Sequence, residues 1–217
     1  DAADHFHEGD VWDIAPGELA SPADLAWASS PCQDFSLAGG RAGLKGGRSS
    51  AFFGFWRLIE ALSASAPRVI VIENVVGLLT SHGGADFVAL CEALGRQGYR
   101  YGALEIDAAQ FTPQSRPRVF VVATRAPIDA AEGPSPFHST AVRAAYEAMP
   151  EAVKAEWVWW RLDAPAARNT DLASVLEPDD AVRWRSAAQT EDLLGLMGDR
   201  HAARVAALRA NGGRAVG

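Results

Sequence analysis

"RVIVIE", residues 68–73, is a continuous apolar run introduced by Pro67 and closed by an acid. A strand that is apolar at every position has no face to offer water, so the run predicts a central parallel strand covered on both faces. On its N-terminal side, "SAFFGFWRLIEALSAS" (50–65) places Phe52, Phe55, Trp56, Ile59 and Leu62 at helical spacing behind a serine suited to cap the first turn. "ADFVALCEALGRQG" (85–98) follows as a second helix, with a glycine near its end. "DLAWAS" (24–29) reads as a short buried strand, and "YRYGALEID" (99–107) and "RVFVVAT" (118–124) as two more. Strand, helix, strand, helix, strand is the order of an open α/β sheet, whose functional groups gather at the carboxyl ends of the strands.

Three segments end at such a rim. "ASSPCQDFSLAGGRAGLKGGRSS" (28–50) starts just past the first strand, where Cys32 follows Pro31 and precedes a loop rich in glycine, arginine and lysine. A thiol attacks only as thiolate, which a positive surrounding favours, so Cys32 is either a nucleophile presented at a loop or a core thiol. Cys91, in "FVALCEAL", sits inside an apolar helical face and reads as core. Glu73 and Asn74 end the second strand. A carboxylate at the end of an apolar strand is paired or used, as a general acid or as a cap on the next turn. "FTPQSRPR" (111–118) joins the last two strands, and its Gln114, Arg116 and Arg118 alternate. In an extended segment all three point to one side, where two guanidiniums and an amide suit a phosphate or the polar edge of a base. The other reading is a solvated strand edge blunted by charge and by Pro117.

With 217 residues and 48% hydrophobic content, the chain can bury one sizeable core and a second small lobe. Two cysteines are too few for a disulfide framework or a four-cysteine zinc site, and no metal is expected. No apolar run approaches the roughly 20 residues that span a bilayer, and the first residues are acidic, so the expectation is a cytoplasmic protein with no membrane partner. The net charge of −7 excludes nucleic-acid binding by bulk electrostatics and confines any such contact to local basic groups. These are Arg41, Lys45 and Arg48 after the cysteine, and Arg116 and Arg118 further on. From about residue 126 the texture changes to "RAPIDAAEGPSPFHST", then to the aromatic cluster "EWVWWRL" (156–162), whose tryptophans read as core or interface. The chain therefore divides into a domain at 1–125 and a linker with the beginning of a second lobe at 126–217. The five histidines form no motif that pairs with Cys32, which leaves a thiol hydrolase without a base.

Pro-Cys-Gln (31–33), Glu-Asn-Val (73–75) and Gln-X-Arg-X-Arg (114–118), in this order and each at a strand end, resemble the DNA cytosine-5 methyltransferase family. The resemblance covers roughly residues 8–125. "EGDV" (8–11) looks like the family's aspartate-bearing strand end that contacts the adenine of S-adenosylmethionine, and "GGRSSAFF" (46–53) like the arginine-containing entry to its next helix. The implied fold is a partial Rossmann-like S-adenosylmethionine-dependent methyltransferase sheet, with the later strands present, followed by the start of a smaller target-recognition lobe. The implied roles are these. Cys32 attacks carbon 6 of a cytosine, Glu73 hydrogen-bonds the ring nitrogen and exocyclic amine, and Arg116 or Arg118 holds the base carbonyl or a phosphate. Asn74 orients the Pro-Cys loop. Gln33, Ser36, Arg41, Lys45, Arg48 and Gln114 lie with Asn74 among the substrate- or DNA-facing residues, and Asp10, Pro31 and Ala51 contact the cofactor. The partner is double-stranded DNA with the base flipped out of the stack, and the glycines of the 39–47 loop give a lid its freedom.

The chain also departs from the family pattern. The glycine-rich Phe-X-Gly-X-Gly cofactor loop belongs ahead of Asp10, and only nine residues precede it. The acid that holds the cofactor ribose is missing with it, no Gly-Asn closing motif follows, and Ala51 replaces a larger apolar residue. The expectation is the catalytic middle of a methyltransferase, excised or part of a split or permuted enzyme. Its S-adenosylmethionine site is then incomplete, its cofactor binding alone weak or nil, and the sheet edge beside 24–29 open to a complementing chain or copy. Two alternatives share the same residues: a transfer-RNA cytosine-5 methyltransferase, and a non-catalytic DNA-binding or assembly fragment.

Overall fold

The computed structural model describes residues 8–19, 23–30, 51–128, 131–168 and 170–210. Pro31, Cys32, Gln33, Ser36, Arg41, Lys45 and Arg48 lie outside the described residues. The first of two compact units, Asp1–Leu172, is built on a four-stranded sheet in the order β1-β2-β4-β3. The strands are β1 (Leu25–Ala28), β2 (Val69–Asn74), β3 (Arg100–Asp107) and β4 (Pro117–Thr124). Two helices of the predicted pattern form, α1 (Ala51–Leu62) and α2 (Ala85–Arg96).

β2 runs parallel to β1, as expected, but antiparallel to β4, which also runs antiparallel to β3. The expectation of an all-parallel neighbourhood for "RVIVIE" is therefore corrected on one side. The physical reason is the length of the β3–β4 connection: the nine residues 108–116 are too few for a parallel crossover, which takes a dozen or more. The reversal brings the amino end of β4 to the same rim as the carboxyl ends of β1, β2 and β3.

Alternation along the strands divides the core in two. Ala28, Ile70, Ile72, Tyr101, Ala103, Val119, Val121 and Ala123 face one way and pack with Phe52, Trp56 and Ile59 of α1 and Phe87, Leu90, Cys91 and Leu94 of α2. Cys91 is fully buried, and burial raises its thiol far above the ordinary range, as fits the core residue expected there. On the opposite face, Leu104, Ile128, Phe137, Val158 and Trp160 form a second cluster over the β3 side. Its closeness depends on Gly102, where any Cβ would collide with the Val158 carbonyl oxygen, and on the Trp160 indole donating to the Val122 carbonyl at 3.0 Å.

The β1 side of that face is open. Leu25 is 51% and Trp27 54% exposed, so β1 is not the buried strand predicted from its composition. It is buried only toward α1 and α2, through Ala28, and among the described residues it pairs with β2 alone.

Residues 131–162, which open with the Pro- and Ser-rich texture, pack on β3. Ser139 caps α3 (Thr140–Glu147) by accepting the Val142 N–H, and α4 (Glu151–Lys154) follows. The Tyr101 hydroxyl donates to the Val153 carbonyl at 2.7 Å, and Trp157 meets Phe87 and Tyr101 edge-on. Trp157 and Trp160 are buried, in keeping with their reading as core.

The second unit, Ala173–Gly217, carries a 3-10 turn (Ala173–Val175), α5 (Ala187–Gly195) and α6 (Asp199–Ala210). A reciprocal Ser186–Gln189 cap starts α5, and Arg209 pairs with Glu191 at 3.1 Å. None of its described residues is buried. No helix among the described residues is long and apolar enough to cross a membrane.

Candidate active site at the sheet rim

Glu73, the penultimate residue of β2, stands opposite Phe120 of β4, with a side chain 26% exposed. Its Oε2 accepts a hydrogen bond from the Ser29 hydroxyl at 3.0 Å, and Ser29 Oγ in turn accepts the Trp27 indole N–H at 2.9 Å. Trp27 meets the Phe120 ring edge-on at 6.0 Å, so the residue opposite Glu73 also seats the indole. The other oxygen, Oε1, faces Arg118 Nε at 3.8 Å, an ion-pair distance too long for a direct hydrogen bond. Arg118 is 20% exposed, and its Nη1 donates to the Pro117 carbonyl at 2.8 Å.

One residue on, Asn74 is 5% exposed. Its amide donates to the Ser30 carbonyl at 3.1 Å, while its Oδ1 accepts the Val75 N–H at 2.9 Å. Glu73 and Asn74 thus hold Ser29 and Ser30, the last described residues before Pro31 and Cys32, by one bond from a side chain and one to the backbone.

The reading of Gln114, Arg116 and Arg118 as one extended face is corrected. Only Arg118 stands in β4; residues 111–116 turn, and Gln114 and Arg116 are exposed on that turn. The period-2 argument requires extended backbone, and Asp107 prevents it here. Its carboxylate accepts the N–H groups of Ala109 at 2.9 Å and Arg116 at 2.7 Å and the Ser115 hydroxyl at 2.9 Å, folding the connection back on itself. Those backbone bonds hold the Asp107 carboxyl below its usual range. Sequence reasoning missed Asp107 as a site-shaping residue, although a strand-end aspartate directly before a small-residue turn, here Ala108–Gln110, is a capping signal. It also missed Ser29 and Trp27, for which no local pattern stood out.

Two of the three residues expected at the cofactor are described. Asp10 opens a turn rather than ending a strand: its Oδ1 accepts the Trp12 N–H at 2.9 Å and its carbonyl the Asp13 N–H at 2.9 Å. Gly54 lets this turn sit against α1, because a Cβ there would lie 2.5 Å from Val11 Cγ1 and 3.3 Å from the Trp12 ring. Arg57 secures it by donating to the carbonyls of Trp12 at 3.2 Å and Ile14 at 2.7 Å. The exposed Asp10 carboxylate is an acceptor of the kind an exocyclic amine requires, and Ala51, which opens α1, is exposed as well.

An α/β sheet with helices packed on it and polar groups gathered at the carboxyl rim is a Rossmann-like architecture. The chain belongs to the C-5 cytosine-specific DNA methylase family, whose model matches residues 2–179. It is similar to the orphan methyltransferase M.Rho11sI of Bacillus phage rho11s, at 35% identity over 126 residues, 57% of this chain and 24% of that protein. It is likewise similar to the type II methyltransferase M2.BsuMI of Bacillus subtilis, at 39% over 119 residues, 54% of this chain and 30% of the relative. M.HaeII of Haemophilus aegyptius, another type II methyltransferase, is 34% identical over 52% of this chain and 35% of its own length. The chain thus spans about a quarter to a third of the length of these relatives. Among solved structures, the S. pombe Dnmt2 methyltransferase aligns with a TM-score of 0.41 at 24% identity, over 54% of this chain and 34% of that one.

Proposed function

We propose that this chain is the catalytic portion of an enzyme that methylates carbon 5 of a flipped-out cytosine in DNA through a covalent adduct with Cys32. The observation that carries the reading is the pair of links from Glu73 to Ser29 and from Asn74 to Ser30, which hold the acid of one strand end beside the chain leading into Pro31 and Cys32.

The Cys32 thiolate forms a bond to carbon 6 of the ring, and the electron pair of the 5,6 double bond moves toward carbon 5 and the ring nitrogen. Glu73 holds that nitrogen and the exocyclic amine and supplies a proton as charge develops there. Arg118, already 3.8 Å from Glu73, takes the base carbonyl or a neighbouring phosphate. S-adenosylmethionine would supply an electrophilic methyl group when bound, with Asp10 contacting its adenine and Pro31 and Ala51 also lining its site. A base then takes the carbon 5 proton, and the electron pair re-forms the 5,6 double bond as the carbon–sulfur bond breaks. Cys32 leaves as thiolate, and the ring nitrogen returns its proton to Glu73. Extrahelical presentation of the cytosine costs a few kcal/mol of stacking, which contacts from Gln33, Ser36, Arg41, Lys45, Arg48, Gln114 and Arg116 offset. In this reading residues 1–125 are part of the catalytic domain, 126–217 begin target recognition, and segments supplied in cis or by a complementing chain complete the cofactor site.

The test is covalent trapping. Duplex DNA carrying 5-fluorocytosine, with S-adenosylmethionine and any complementing segment, retains the adduct because fluorine cannot leave as a proton does. A denaturation-resistant complex is expected for the native protein and none for Cys32→Ser. An adduct that persists in Cys32→Ser, or methyl transfer to a transfer-RNA transcript in preference to the duplex, overturns the assignment.

A further inference from the structure

The three groups Trp27, Ser29 and Glu73 form one directed chain of hydrogen bonds, and its direction is set by chemistry. An indole N–H can only donate, so Trp27 occupies a lone pair of Ser29 Oγ at 2.9 Å. The single hydroxyl proton of Ser29 is then committed outward, to Glu73 Oε2 at 3.0 Å. Trp27 itself is fixed from behind by the Phe120 ring, whose strand position is opposite Glu73. Oε2 is therefore held as an acceptor, and Oε1, whose partner among the described residues is the Arg118 guanidinium 3.8 Å away, is the oxygen left to exchange a proton.

We infer that Ser29 is a positioning residue for Glu73: oriented by Trp27, it fixes the carboxylate so that Oε1 meets the target ring. The inference rests on the role of Glu73 just proposed. Ser29 is exposed and contributes no buried apolar surface, so its replacement tests position rather than packing.

The experiment measures single-turnover methyl transfer from labelled S-adenosylmethionine to unmethylated genomic DNA by the full-length protein and its variants. Ser29→Ala is expected to lower the rate about ten- to a hundredfold, the scale of one hydrogen bond to a charged group, with the cofactor KM and the melting temperature unchanged. Ser29→Thr keeps the hydroxyl and is expected to recover activity to within about threefold. Trp27→Phe removes the donor that orients Ser29 and keeps the ring, and an intermediate loss is expected. The inference is overturned if Ser29→Ala keeps native turnover while Glu73→Gln loses it, or if Ser29→Thr falls as far as Ser29→Ala. If Glu73→Gln also retains native turnover, the role of Glu73 falls and that of Ser29 with it.

Discussion

A carboxylate that accepts two backbone N–H groups resists protonation, and Asp107 accepts those of Ala109 and Arg116. Its carboxyl is lowered in the folded state by these bonds. A depressed folded value means that the stabilisation is complete above the unfolded value, about 4, and is lost as pH falls through the folded one. Thermal melts of the native protein and Asp107→Ala are therefore expected to differ at neutral pH and to converge as pH is lowered below about 4. A difference that grows on acidification would contradict the anchoring role. At this scale the candidate site was partly legible. Glu73 stood out as an acid closing an apolar run, whereas Ser29 is one hydroxyl in a polar loop, 44 residues away from the group it holds.

The elements most visible in the sequence were those whose period is imposed by burial: β2, α1 and α2 lie where apolar spacing placed them. Strand direction was not visible, because alternation has no sign along the chain. The length of the β3–β4 connection holds that information instead, together with the Asp107 hydrogen bonds that close it. β1 was misjudged for a related reason: its apolar side chains alternate between a face that packs and a face that is open, and composition alone does not distinguish them. Within β3, Gly102 lies under the backbone of Val158, and the obstacle to a side chain is a carbonyl, which cannot rotate aside. Gly102→Ala is expected to destabilise the first unit by about 3 kcal/mol, read from denaturant midpoints at constant slope. A change of a few tenths would show that residues 157–160 separate from β3 at little cost.

Across the whole molecule, the change of texture near residue 126 does not coincide with the edge of the first compact unit, which continues to Leu172. The aromatic cluster explains the difference. Trp157 packs against Phe87 of α2, Tyr101 of β3 and Tyr146 of α3, tying a stretch with loop-like composition into the main core. Trp157→Ala is expected to cost about 3–5 kcal/mol and to lower the unfolding midpoint of the whole first unit rather than to release residues 131–162 alone. The antiparallel turn of β4 also bears on how the chain folds. β3 and β4 meet across nine residues, whereas the contact of Ser29 with Glu73 closes a separation of 44. Chain-closure entropy makes the longer search costlier by about 1.4 kcal/mol. Pulse-labelled amide exchange during refolding is expected to protect β3 and β4 before β1. The rim that brings the acid to the cysteine segment would then be the last part of the sheet to close, and a nascent chain would gain its thiol's surroundings only after the hairpin behind it had formed.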